Sequence, residues 1–301
     1  MLDFKEITIE DYDLINEYAY KYGENSCQHS FVCWYTLKEK YNDKYVIKND
    51  FLYILREKLC DEAYRVYLFP MGEGNIKEAL EEIIKDAHER GKKVKFQTVT
   101  LNSMIKIHDL YMGKFEAHEL RNYAEYLHLS SNLSLLPGKA FESKRYDVNL
   151  FRRTYADRLE EILMTKDMIP EILDFEEFWM TKSLEQHDRA ALFKEYAAIK
   201  LQLSNYDKLK ISGVVIKLDG KIQGFVYGAP LSDECYDVLI EKGNVDYNDI
   251  YRILHQDIVK LCAMDYKYIN REEDVGVEGL RKAKMSYKPD ILLTKFTLIE
   301  V

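Results

Sequence analysis

Two apolar runs, Ile211–Leu218 and Lys221–Tyr227, meet at Asp219-Gly220. A two-residue Asp-Gly link between such runs selects a type I′ hairpin, because both linking residues must take positive φ. Once that hairpin is fixed, the neighbouring patterns have few ways to pack. Cys235–Glu241 supplies a third strand. A helix follows over Asn248–Met264, with Ile250, Ile253, Leu254, Ile258, Leu261 and Cys262 spaced for one buried side. A short strand at Tyr266–Asn270, a helix from Val277 to Tyr287 stopped by Lys288-Pro289, and a strand at Ile291–Ile299 complete the half. Two helices precede the hairpin, Asp167–Thr181 and Ala190–Tyr206, the second offering Leu192, Phe193, Tyr196, Ile199 and Leu203 as its inner face.

The first half repeats this order more loosely. Helices at Ile9–Tyr22 and Ser30–Lys40 lead into strands at Tyr45–Ile47, Phe51–Arg56 and Tyr64–Phe69. Then come an amphipathic helix Asn75–Arg90, a strand Val94–Thr98, a helix Asn102–Met112 and a strand Glu116–Leu129. A chain of 301 residues fits two domains at roughly 100–200 residues each. With 13 Gly and 5 Pro there is no flexible linker composition to separate them. The expected division is residues 1–138, a basic connecting segment 139–165, and residues 166–301. The fold class is α/β (α+β), each copy a mixed, mostly antiparallel sheet flanked by helices. This element order resembles two tandem GNAT-like acyltransferase folds, whose sheets splay between the fourth and fifth strands to admit an acyl donor.

A formal charge of -9 and 47% hydrophobic residues describe a globular chain and exclude a basic nucleic-acid coat, DNA included. The N-terminus alternates acidic and apolar residues where a leader would be basic and then apolar, and no run reaches the ~20 apolar residues of a membrane helix. A cytoplasmic chain with no integral membrane segment is expected. The five cysteines show no C-x-x-C, and His29, His88, His108, His118, His128, His187 and His255 show no ligand spacing, so no metal is expected.

The strings GKIQGFVYG, VLIEKGN and YINREEDVGVEGLRKAKMSYKPDILLTKF, together with YAEYLHLSSNLSLLPGKAFESKRYDVNLFRRTY, resemble the uncharacterised bacterial family related to the C-terminal transferase domain of phosphatidylglycerol lysyltransferase. Asn270–Pro289 is the most specific part. The resemblance implies an active groove in or near the second copy and transfer of an aminoacyl group from aminoacyl-tRNA to a lipid headgroup, with peripheral membrane contact. Acyl-CoA is the alternative co-substrate, giving N-acetylation of a small molecule. A ligand- or protein-binding module without catalysis is the third reading.

Leu280-x-x-Ala283-x-x-x-Tyr287 keeps the spacing by which GNAT enzymes commonly place a tyrosine near the acyl carbonyl. Such a phenol is protonated at neutral pH and can donate to a leaving group; a core tyrosine is the competing reading. Glu272 and Asp274 follow the fifth strand, where a carboxylate can take the proton of an attacking amine. Asn270 and Arg271 open that loop, and Glu241-Lys242 end the preceding long strand, as candidate substrate contacts. Arg281, Lys284 and Lys288 share one helix side as a phosphate clamp or a solvated face. Lys144, Arg145 and Asn149 lie in the basic stretch Lys139–Arg158, six basic residues against three acidic. Gly279–Lys295 is the second basic stretch. The turn EKGNVDYNDIYRIL has one glycine beside Asp246 and Asp249, a poor pyrophosphate cradle. Gly72-x-Gly74 before the first half's helix is better on paper.

Overall fold

The computed structural model describes residues 1–184 and 188–301; His187 lies outside the described residues. Strands run in chain order as β1 Lys5–Glu6, β2 Asp43–Lys48, β3 Phe51–Arg56, β4 Tyr64–Tyr67, β5 Met71–Gly72, β6 Lys93–Thr100, β7 Phe115–Glu119 and β8 Glu125–Leu129. They continue as β9 Leu159–Leu163, β10 Ser212–Leu218, β11 Lys221–Pro230, β12 Cys235–Gly243, β13 Tyr268–Glu273, β14 Ile291–Leu293 and β15 Lys295–Glu300. The helices are α1 Tyr12–Tyr22, α2 Phe31–Thr36, α3 Ile76–His88, α4 Leu101–Leu110, α5 Ser130–Leu135, α6 Glu142–Thr154, α7 Ile169–Ser183, α8 Arg189–Ser204, α9 Ile250–Ile258 and α10 Glu278–Met285.

The chain divides into two compact units, but not linearly. Unit 1 takes Met1–Tyr126, Glu273–Lys282 and Leu292–Val301; unit 2 takes Leu127–Glu272 and Ala283–Ile291. This corrects the expected boundaries at 138 and 166. The reason is strand pairing: β15 inserts between β6 and β7, antiparallel to both, so the final strand completes the first sheet. The single strand expected over Ile291–Ile299 is two, β14 in the second sheet and β15 in the first. The basic segment 139–165 is not a connector but helix α6 and edge strand β9 of unit 2.

Unit 1 orders its sheet β1-β2-β3-β4-β6-β15-β7, with β5 on β3 and one parallel pair, β4 with β6. Helix α3 buries Ala79, Leu80, Ile83, Ile84 and Ala87 against it, the 3.6-residue face expected from sequence. Unit 2 orders its sheet β14-β8-β13-β12-β11-β10-β9. Its hairpin closes at Asp219-Gly220 with φ of 53° and 72°, as a type I′ turn requires. Each unit is thus a mixed, mainly antiparallel sheet with helices on it, and the fold is the tandem GNAT-like one.

The helices of unit 2 cover both sheet faces. A Cβ on Gly224 would touch Ile250 and Leu254 of α9, while the next residue, Phe225, packs its ring on Phe175 of α7. Alternation along a strand puts α9 and α7 on opposite faces. Two sequence expectations shift here. Phe193 is 48% exposed, so the buried side of α8 is Leu192, Ile199 and Leu203. Leu261 points outward because α9 passes into a π-turn over Val259–Ala263, whose wider winding carries Val259 and Ala263 inward instead.

Candidate active site

The site begins with a strand that cannot stay paired. β12 runs parallel to β13 through Cys235↔Tyr268, Tyr236↔Ile269 and Asp237↔Asn270. On its other edge, Gly228 pairs with Val238 and Tyr227 with Ile240, leaving Leu239 as an extra residue. Such a bulge bends the strand that carries it. Gly228 permits it, since a Cβ there would lie 1.9 Å from the Asp237 carbonyl oxygen. Beyond the bulge β12 carries Glu241 and Lys242, while β13 carries Arg271 and Glu272. Asn270, fully buried, accepts the Glu272 N–H at 2.7 Å and turns the strand end, with Glu272 at φ 53°.

Alternation sends these pairs to opposite faces. Lys242, opposite Phe225, lies on the α7 side. Its ammonium sits 2.6 Å from Glu195, 3.8 Å from Glu176 and 3.6 Å from the Trp179 ring centre. Burial raises the Glu176 carboxyl to about 7, opposed by the Lys242 charge. Lys242 is therefore consumed by a closed ion cluster and is not presented to a substrate. Glu272 faces the same side, close enough to influence the buried Tyr227 hydroxyl.

Glu241 lies on the α9 side, in a cluster absent from the sequence reading because its centre is a histidine without any motif. His255 Nε2 lies 2.6 Å from Glu241 Oε1, and His255 Nδ1 lies 3.0 Å from the Tyr287 hydroxyl. Arg271 reaches the same Nε2 at 2.5 Å, with Glu241 Oε2 at 3.7 Å. The imidazole and phenol rings meet edge to face at 5.0 Å. Burial and the Arg271 charge hold the imidazole below its usual value, against the pull of Glu241, so the ring is neutral near pH 7. Burial, with Glu241 adding to it, pushes the Tyr287 hydroxyl up to about 12, which keeps it protonated.

A neutral imidazole serves these partners in two ways. With the proton on Nε2 it donates to Glu241 and accepts the Tyr287 O–H on Nδ1. With the proton on Nδ1 it accepts from Arg271 and donates to the Tyr287 oxygen, releasing that hydroxyl's own hydrogen to point elsewhere. The imidazole can thus orient the Tyr287 hydroxyl in either sense.

The other predicted residues fall as follows. Lys144 lies 4.7 Å from the Tyr287 ring centre and Arg271 5.1 Å from it. Lys284 is buried and donates to the Arg271 carbonyl at 2.5 Å. Lys288 lies beyond the end of α10, so the three-residue basic stripe is not one helical face. Arg145 is spent on the Leu136 and Gly138 carbonyls, and Asn149 is exposed. Asp274 is the clear correction. It sits in unit 1 with a fully buried carboxylate, bound by Arg281 at 2.8 Å, Arg121 at 3.2 Å, Tyr126 at 2.5 Å and the Gly276 N–H at 2.9 Å. These partners outweigh its burial and hold its carboxyl well below the usual range, so it is an anchor for its loop and a poor base. Arg281 is engaged by the same anchor.

The turn before α9 has its polar groups engaged. Asn244 N–H is given to Gln223, Asp246 is paired with Lys182, and Arg252 joins Asp249 to Asp147. In unit 1, Gly72 is required by the Asp50 carbonyl, 2.1 Å from its would-be Cβ, and Glu73 of that turn bonds Lys21 and Tyr22. Among the described residues no group of three or more His, Cys, Asp or Glu could hold a metal, and no helix is long and apolar enough to cross a membrane.

Two mixed sheets flanked by helices in one chain, each with a parallel pair, β4 with β6 and β12 with β13, make the tandem GNAT-like class. Within that class the chain belongs to the family described as phosphatidylglycerol lysyltransferase, C-terminal, whose model matches residues 20–299. The crystal structure of a conserved protein of unknown function from Bacteroides thetaiotaomicron is similar over 100% of both chains, at 32% identity and a TM-score of 0.92. L-PGS from Bacillus licheniformis shares the fold at 16% identity and a TM-score of 0.68, over 98% of this chain and 93% of its own. An uncharacterised protein of Mycoplasmoides gallisepticum is 22% identical over 248 residues, 81% of this chain and 77% of the relative.

Proposed function

We propose that unit 2 transfers an activated acyl or aminoacyl group to an amine or hydroxyl acceptor, with Tyr287 as the acid. The observation that carries this reading is the Glu241–His255–Tyr287 chain beside the opened strands, a phenol kept neutral and oriented by the imidazole. The acceptor's nitrogen or oxygen attacks the carbonyl carbon and forms the new bond. Its proton passes to Glu272. The bond to the leaving oxygen or sulfur breaks, and the leaving atom takes the Tyr287 proton. Glu272 then releases its proton to solvent and the phenolate takes one back from solvent, while neutral His255 holds the phenol oxygen through Nδ1.

Family membership supports aminoacyl-tRNA as donor and a lipid headgroup as acceptor. The occupied, acidic turn before α9 speaks against the acyl-CoA alternative, because it offers a pyrophosphate carboxylates in place of free N–H groups. A non-catalytic module would be favoured by a groove filled by the large side chains of Phe225 or Tyr227. Both are instead buried between the sheet and its helices, Tyr227 donating to Gln202 at 2.7 Å.

The test is direct. The protein is incubated with tRNA carrying a radiolabelled amino acid, and separately with labelled acetyl-CoA, over lipid, peptide and amine acceptors. Label moving from tRNA into an acceptor, and lost in Tyr287→Phe, supports the proposal. Label moving only from acetyl-CoA replaces it with N-acetylation, and transfer that survives Tyr287→Phe removes the assigned acid.

A further inference from the structure

Arg271 is 8% exposed, yet its Nη1 has no hydrogen-bond partner. A buried guanidinium nitrogen left unpaired is rare, because folding strips its water without return. Its surroundings hold one carboxylate, Glu241, 3.7 Å from Arg271 Nη2, among several cations. Lys144 stands on the same Tyr287 ring, and the charges that act on its ammonium are those of Arg252, Lys288 and Arg271, all of its own sign. Together with burial they push the ammonium below its ordinary value. Glu241 is shared with His255, and the carboxylates of Asp147 and Asp249 are taken by Arg252.

The backbone adds a second sign. Lys288 holds φ 51° immediately before Pro289, a left-handed conformation that non-glycine residues seldom take. It places the lysine near Lys144, where like charges repel. Strain, repulsion and an orphaned donor meet at one place.

We propose that Arg271, Lys144 and Lys288 form a phosphate-ester subsite at the rim of Tyr287. A phosphate there would accept from Arg271 Nη1 and neutralise the two lysines. The ester would belong to a lipid headgroup or to a nucleotide, and both present the same oxygens. The inference rests on the reading that substrates meet at this end of unit 2, but its test needs no turnover.

Binding is measured by calorimetry at low ionic strength with inorganic phosphate, sn-glycerol 3-phosphate and adenosine 5′-monophosphate, using glycerol and adenosine as phosphate-free controls. Phosphate-bearing probes should bind and their controls should not. Lys144→Gln and Lys288→Gln, both changes of partly or fully exposed residues, should each weaken binding about ten-fold, as expected for losing a charge-assisted contact. Lys221→Gln at the hairpin turn should change nothing. Tighter binding of glycerol 3-phosphate assigns a lipid headgroup, and tighter binding of the nucleotide assigns RNA. Equal binding of the two, with the lysine variants impaired, assigns phosphate alone. Absence of phosphate binding overturns the subsite, as does binding unaffected by either lysine. Phosphate binding without acyl transfer from any donor would leave the subsite standing and remove the proposed reaction.

Discussion

Replacing Tyr287 by Phe deletes one oxygen and keeps the ring among its apolar neighbours, so the fold should tolerate it at a cost of about 1 kcal/mol for the lost bond to His255. Transfer should fall by about 10²–10⁴, the range for removing a positioned acid. His255 gives a sharper signature. Its folded value lies below the unfolded one, so the unfolded state binds the extra proton first as pH falls. Stability from this group is present above the ordinary imidazole value and is lost on acidification through the depressed one. The charged ring would also face Arg271 with two N–H groups. A pH–rate profile should therefore show an acid limb that His255→Gln abolishes, because Gln keeps a donor and an acceptor but cannot titrate. An unchanged limb would assign it to another group.

At the scale of elements, the bulge at Leu239 is the part on which the site depends. Gly228→Ala forces a methyl into the Asp237 carbonyl and should destabilise unit 2 by about 1–3 kcal/mol, read by urea denaturation, while also shifting Glu241 and lowering transfer. Much of this scaffold is legible in the chain. Asp219-Gly220 announces the hairpin, and the periodicity of α3 announces its buried face, because both are local properties. Tyr287, Glu241 and Arg271 are legible as candidates from their position in the element order, and the structure brings them together. His255 is not, since its partners stand 14 residues before it and 16 and 32 after it, and only folding brings them together. Asp274 misled for the same reason: a carboxylate in a loop looks available until Arg121 and Arg281 close on it. The π-turn after α9 left no pattern, and it moved Leu261 off the expected side.

For the whole molecule, buried carboxyls set an unusual pH response. Glu176 is raised to about 7 by burial, and Asp257 is raised by burial and by neighbouring Glu161 despite the Arg152 bridge. Raised acids keep protons that the unfolded chain releases, so the folded state loses ground as pH rises from the ordinary carboxyl value through the raised one. For Glu176 the difference is on the order of 3 kcal/mol between pH 4.5 and 7. Thermal melts should peak in mildly acidic buffer, and Glu176→Gln should flatten the decline and raise the melting temperature above pH 7. A wild-type maximum above pH 8 would mean these carboxyls are ionised in the folded protein. The insertion of β15 between β6 and β7 has another consequence. Residues 127–272 leave the ribosome before residues 295–300 do, so unit 2's central strands can settle while the first-made sheet still lacks the strand between two of its members. The earliest segment to emerge is thus the last to be finished, and a stop codon after Thr294 should leave β6 and β7 as bare edges that recruit other nascent chains, turning a seven-residue truncation into aggregation rather than a trimmed tail.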